Sequence, residues 1–332
     1  MAKRAKVPII HNDRMKSVII HHGDLDGYNG AQVCNKWFET HVEDSHEIIR
    51  RRATYENVND IVSAYTIDHE EYRYILIVDI SITEDLALSA PDNLYIFDHH
   101  DTSSYLNGMN DRYYWEHEYC GAVVAWKALF SGAPEKPFKK LMKICNDYDM
   151  WQGNDGEPPK ISFDMNTLFW LDPDKWYKKF YDGFSHFDDG DQAYLDKFWD
   201  IQDDLWENVI DKLVYDEENK DVIMLFVNDG QWDANWWSNK LIRHDGYNAV
   251  IVIRADRDKL SLRTSKDRMG WFHGGEWLQE NIINDNGSKG GHQHAAGCSL
   301  VGVSNDEILE IGMKIQVLCD EHFRPEEKEM EA

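Results

Sequence analysis

The chain has 332 residues, with 61 Asp and Glu against 35 Lys and Arg and a formal net charge of −26. That balance excludes a passive electrostatic grip on long duplex DNA, while 42% hydrophobic and 13% aromatic residues exclude a disordered chain. No apolar run approaches the ~18 residues of a membrane span, and the basic MAKRAK start leads into no signal-peptide core. Five cysteines, none spaced like a zinc knuckle or redox pair, fit a reducing setting, so a soluble cytoplasmic protein of two domains is expected.

In chain order, the first apolar run lies in VIIHHGDLDGYNGA (18–31), where a strand delivers His21, His22, Asp24 and Asp26 before a helix over NGAQVCNKWFETH. YRYILIVDIS and NLYIFDHH follow as strands buried on both faces, ending in Asp79 and in Asp98, His99 and His100. Alternation of strands and helices predicts a parallel α/β sheet, whose carboxyl edge is where ligands bind. CGAVVAWKALF and FKKLMKICNDYDMW read as helices flanking the turn SGAPEKP, the second closing on Asp147 and Asp149.

Residues 155–218 are polar and aromatic, with DGEPPK and DPDKW as loops and a long amphipathic helix over 191–214. A second alternating unit begins at DVIMLFVN. It continues through a helix around 235–244, strands NAVIVIRA and KLSLRTS, a helix over HGGEWLQENII, the glycine-histidine loop KGGHQHAAG and a helix over 305–320. The expected organisation is a first domain over 1–190, a helical connector over 191–218, a second domain over 219–324 and a solvated tail over 325–332.

Carboxylates and imidazoles gathered at the ends of buried strands repel one another and pay desolvation unless a cation joins them. Mixed Asp and His donors without cysteine suit Mn²⁺, Fe²⁺, Co²⁺, Zn²⁺ or Mg²⁺ and argue against structural zinc. Five or more such ligands point to two ions, a pair suited to displacement at phosphorus. Alone, DLDG is more often a turn, since Asp-Gly is a common turn dipeptide; the ordered conjunction with IVDIS and FDHH favours metal.

The order H-x-D-x-D-G, V-D-I-S, D-H-H and an Asp after a helix resembles the DHH phosphoesterase superfamily, and GGHQHAAG with LSLRTS resembles its DHH-associated domain. The resemblance implies a parallel-sheet DHH domain joined by a helical connector to a smaller α/β DHH-associated domain, with the active site in the cleft between them. It further implies that His22, Asp24 and Asp79 hold one Mn²⁺ and that Asp26, Asp79, His99 and Asp147 hold the other, with Mg²⁺ or Co²⁺ as alternatives. Either Asp147 or Asp149 fits the fourth motif, and the spacing favours Asp147. His100 would contact the scissile phosphate and Asp98 would orient a histidine. Arg263, Lys289, Gly290, Gly291 and His292 match the substrate-binding surface, with Lys289 standing where the family has a glycine. His21 reads as a strand-end histidine outside the site.

The size resembles the compact nanoRNase type more than RecJ-like enzymes with an added oligonucleotide-binding barrel. The implied activity is two-metal hydrolysis of phosphodiester bonds in short single-stranded nucleic acid. Arg254, Arg257, Arg263, Lys266 and Arg268 would supply a local positive surface, and QWDANWW and MGWFHGG would supply either packing or stacking tryptophans. A phosphatase or phosphodiesterase of small nucleotides, and a non-catalytic nucleotide-binding module, are the alternatives. Neither a membrane nor long duplex DNA is expected as a partner, and an oligomer is compatible with the sequence.

Overall fold

The computed structural model describes residues 6–10, 16–42, 46–152, 158–208, 210–228, 232–254, 258–282 and 289–324, with backbone alone for 289–292. The chain divides into two compact units after Leu195. In the first, β1 (Lys16–His22), β2 (Glu47–Ala53), β3 (Tyr72–Val78), β4 (Leu94–Asp98) and β5 (Tyr113–Trp115) form a wholly parallel sheet in the order β2-β1-β3-β4-β5. Its helices are α1 (Leu25–His41), α2 (Val58–Ile67), α3 (Glu84–Leu88), α4 (Gly121–Leu129), α5 (Lys136–Asp149), α6 (Lys160–Leu171) and α7 (Pro173–Lys179).

Both sheet faces are apolar because both are covered. Val18, Ile20, Ile75, Ile77 and Ile96 pack with Val58 and Val62 of α2. Tyr74, on β3, meets the rings of Trp37 and Phe38 of α1 at 5.0 and 5.7 Å. Register then does the positioning. His21 pairs with Val78 and Val78 with Phe97, so the next residues, His22, Asp79 and Asp98, leave three adjacent strands at one level of the carboxyl edge.

Helix α8 (Asp189–Asn208) runs across the division. The second unit contains β6 (Asp211–Val214), β7 (Val222–Val227), α9 (Ala234–Lys240), β8 (Ala249–Arg254), β9 (Lys259–Thr264), α10 (Gly274–Asn281), β10 (Lys289–His292), β11 (Ala295–Ser299) and α11 (Asn305–Phe323). Its sheet order is β10-β11-β9-β8-β7-β6, parallel between β7 and β8 and antiparallel elsewhere.

The structure revises the sequence reading at several places. The long helix does not reach residue 214: it ends at Asn208, and Asp211–Val214 pairs antiparallel with β7, because an open sheet edge offers the backbone partners that outweigh local helical periodicity. DPDKW is a helix start instead of a loop, with Pro173 at the first helical position and the Asp172 carboxylate accepting the Lys175 N–H at 3.0 Å. KGGHQHAAG is a hairpin, with Gly290 paired to Gly297 and Gly291 to Ala296. After α9 the chain makes a π-helical turn over Leu241–Asp245, ended by Gly246 at φ 89°. Arg268 donates to the carbonyls of Ile242, Gly246 and Tyr247, so this guanidinium, expected on the positive surface, closes a helix end.

Candidate metal centre

The centre lies wholly within the first unit, where strand ends, the start of α1 and the end of α5 converge. Asp24 caps α1, its carboxylate accepting the Gly27 N–H at 3.0 Å, and a Cβ at Gly27 would collide with the His22 carbonyl. Glycine there is therefore required by the close approach of helix to strand. Asp26, in the first turn of α1, accepts N–H bonds from Gly121 at 2.6 Å and Ala122 at 3.0 Å, so the amino end of α4 grips this carboxylate. Asp79 follows β3 directly with φ 59°, a left-handed conformation uncommon outside glycine. A strained backbone of this kind persists where the surroundings over-determine it.

His22 Nδ1 lies 2.7 Å from Asp24 Oδ2 and 3.6 Å from Asp79 Oδ2. His99 Nε2 lies 3.2 Å from Asp79 Oδ1 and 3.3 Å from Asp149 Oδ2. Asp79 thus faces a histidine from each side. At this centre, among the described residues, three sets of donors come close enough to share an ion: His22, Asp24 and Asp79; Asp26, His99 and Asp149; and Asp79, Asp98, His99 and His100.

The electrostatics are those of an overcrowded acidic site. Burial, then repulsion from Asp26, Asp24 and Asp149, pushes the Asp79 carboxyl well above its ordinary range, and burial with Asp26 and Asp24 does the same to Asp149. Burial opposes charge on His22 as well, yet Asp24 holds a proton on that ring and raises it to about 9. Asp24 is correspondingly held low by His22, against its burial. The Oδ2 atoms of Asp79 and Asp149 are buried and accept no hydrogen bond. Buried acceptors without donors are costly, and hard oxygen donors beside imidazole nitrogens fit a divalent cation.

No family model matches the sequence, and no curated protein matches it. Solved structures do. A DHH-domain protein described as a member of a family of ribosomal proteins aligns with TM-score 0.60 at 13% identity, covering 91% of this chain and 86% of that one. RecJ from Thermus thermophilus in complex with Mn²⁺ aligns with TM-score 0.58 at 13% identity, over 92% of this chain and 52% of that one. An exonuclease RecJ bound to manganese gives 0.58 at 14% identity, over 92% and 91%. The chain has the RecJ-like DHH fold.

Within that DHH fold, the triplet itself divides its work. Asp98 Oδ1 meets His100 Nδ1 at 2.8 Å and accepts the His99 N–H at 2.8 Å, while Oδ2 accepts the Ser103 hydroxyl at 2.5 Å. Against its burial, His100 holds the Asp98 carboxyl well below the usual range. The histidine that Asp98 contacts through its side chain is thus His100. At the fourth motif it is Asp149 that stands with Asp26 and His99, whereas Asp147 pairs with Lys143 one turn back on α5 and lies outside the three donor sets. Spacing along the chain favoured Asp147, whereas the structure brings Asp149 to His99, because the two side chains point to different sides of the last helical turn.

His21 is buried against Tyr28 at 4.7 Å with its Nδ1 2.7 Å from the His22 carbonyl, and burial lowers it to about 4. In the second unit, Arg263 donates to Asn235 Oδ1 at 2.7 Å. Gly290 and Gly291 lie in β10; the side chains of Lys289 and His292, and all of Arg257, fall outside the described residues. Trp232 and Trp237 are core, stacked with Trp206 at 6.4 and 4.3 Å, which answers the packing question for QWDANWW. Trp271 is 39% exposed and stacks on His322 at 4.2 Å.

Strand β2 brings two residues to the rim that the sequence reading missed. Arg52 lies against Gly23, where any Cβ would meet its guanidinium. Tyr55 follows in the β2–α2 turn, its ring 5.3 Å from His22 and 5.9 Å from His100. Strand β2 is a half-exposed edge with three arginines, EIIRRRA, and offers no apolar run to announce it.

Proposed function

We propose that the chain is a two-metal-dependent phosphoesterase that hydrolyses phosphodiester bonds of short single-stranded nucleic acid. The convergence of Asp24, Asp26, Asp79, His99 and Asp149, with donor-less carboxylate oxygens buried among them, carries this reading. The fold shared with an exonuclease RecJ bound to manganese supports it. His22, Asp24 and Asp79 would hold one cation, and Asp26, Asp79, His99 and Asp149 the other, with Mn²⁺ the first choice and Mg²⁺ or Co²⁺ able to substitute. Bound there, the pair would supply Lewis-acid stabilisation of charge on the phosphoryl oxygens and acidify water.

The chain's own residues then act around the phosphate. His100, oriented through Nδ1 by Asp98, would contact the scissile phosphate through Nε2. Arg263, Lys289, Gly290, Gly291 and His292 form the proposed substrate-binding surface of the second unit, the hairpin backbone letting N–H groups approach phosphate oxygens. A net charge of −26 repels long polyanions away from the ions, which favours short substrates.

Labelled RNA and DNA of two to twenty nucleotides, digested with Mn²⁺ beside an Asp79→Ala variant, test the proposal. Mononucleotide release by the native chain alone supports it, release of inorganic phosphate alone favours the small-nucleotide phosphatase, and no cleavage at any length refutes it.

A further inference from the structure

Tyr55 stands out among the exposed aromatics because it sits against the centre itself. It is 47% exposed, in a turn held at its base by Thr54 and Asn57: the Asn57 Oδ1 accepts the Thr54 N–H at 2.8 Å, and the Thr54 carbonyl accepts the Asn57 and Val58 N–H groups at 3.1 and 2.9 Å. The turn therefore presents the ring on a fixed backbone. His22 is tilted at 54° to the Tyr55 ring, His100 stands perpendicular to it at 90°, and these two histidines lie 6.5 Å apart. Three rings thus wall one side of the donor cluster. Among the described residues no ring lies parallel on Tyr55, whereas the exposed Trp271 is already stacked on His322 at 21°.

The contacts of this half-exposed ring are made with His22 and His100, two histidines of the centre itself. The Tyr55 ring stands next to His100, the group proposed to touch the scissile phosphate, so the planar group it can meet is one a few covalent bonds away from that phosphate. In a nucleotide that group is the base. Aromatic stacking on a base is insensitive to base identity, since every base offers a π-face.

We propose that Tyr55 is a substrate-contacting residue of the metal centre, stacking on the nucleobase of the nucleotide that carries the scissile phosphate and thereby selecting nucleotide esters over esters without a base. This rests on the phosphoesterase reading above and names what that site prefers. Tyr55→Phe keeps the ring; Tyr55→Leu removes it at a position exposed enough to tolerate the change.

The experiment compares the native chain and both variants, with Mn²⁺, on a dinucleotide and on its counterpart lacking the base next to the scissile phosphate. In parallel, binding of adenosine 5′-monophosphate is measured by calorimetry, which needs no turnover. Tyr55→Leu should lower kcat/KM for the dinucleotide relative to that for the base-free substrate, and weaken the monophosphate, roughly 5- to 150-fold; Tyr55→Phe should match the native chain. Equal losses on both substrates, or none, overturn the inference while native turnover leaves the phosphoesterase reading standing. Absence of native turnover refutes that reading, and monophosphate binding then decides the stacking by itself: loss in Tyr55→Leu upholds it, no loss overturns it.

Discussion

Asp79→Asn separates stability from function at the centre. The Asp79 carboxyl is 1% exposed, its Oδ2 has no donor, and Asp26, Asp24 and Asp149 all repel its charge. Asparagine keeps the shape, accepts the left-handed φ of 59° at least as well as aspartate, and removes the charge. Without metal, the variant should therefore equal or exceed the native chain by about 1–3 kcal/mol, the usual scale for relieving a buried carboxylate repelled by its neighbours. With Mn²⁺ at a hundred-fold excess over its dissociation constant the native chain gains about 2.7 kcal/mol, roughly 5–10 °C for a unit of this size. The variant should lose most of that gain, since Asp79 is the residue shared by both proposed ion sites. Thermal melts of the two proteins with EDTA and with Mn²⁺ give all four values. A variant that is less stable than the native chain in EDTA, yet shifts as far with Mn²⁺, refutes the idea that Asp79 is kept for a cation at the expense of stability.

Asp149→Ala should weaken Mn²⁺ binding by about 10- to 100-fold or more, and Asp147→Ala should leave it within about two-fold, because Asp147 pairs with Lys143 instead; calorimetric titration distinguishes them. Gly121→Ala places a Cβ 2.7 Å from Asp79 Cβ and 3.0 Å from Asp26 Oδ2, so Mn²⁺ affinity should fall about ten-fold or more as α4 is pushed off both carboxylates; unchanged affinity would contradict the geometry. For pH, His22 is raised to about 9 in the metal-free fold from an ordinary 6.5, so its contribution is complete below about 6.5 and is lost as pH rises through 9. Asp79 and Asp149, also raised, hold more protons folded than unfolded and push in the same direction. Metal-free melting temperature should therefore fall between pH 6.5 and 9, and saturating Mn²⁺ should flatten the slope by replacing those protons; a metal-free curve that rises across this window would be contrary evidence.

How far the sequence reached is clearest residue by residue. VIIHH, YILIV and LYIFD are legible as buried strands because apolar runs on both faces suit only a covered parallel sheet, and the parallel register then carries His22, Asp79 and Asp98 to one edge. Residues 211–214 read as helix because an amphipathic pattern continues past Asn208, while the edge of β7 captures the backbone. Strand β2 carries no signal of its own, because its EIIRRRA is shaped by solvent on one side, and Tyr55 and Arg52 are hidden with it.

The amino-acid sequence by itself determined the donor types, their order and their attachment to strand ends, since these follow from local pattern and from the periodicity of covered strands. Only the tertiary structure decided that Asp149, not Asp147, turns toward His99, that Asp26 is clamped by the amino end of α4, and that Tyr55 stands beside His100. Each of these depends on the direction of a side chain relative to an element distant in the chain, and one helical turn or one strand pairing reverses it without altering the local pattern.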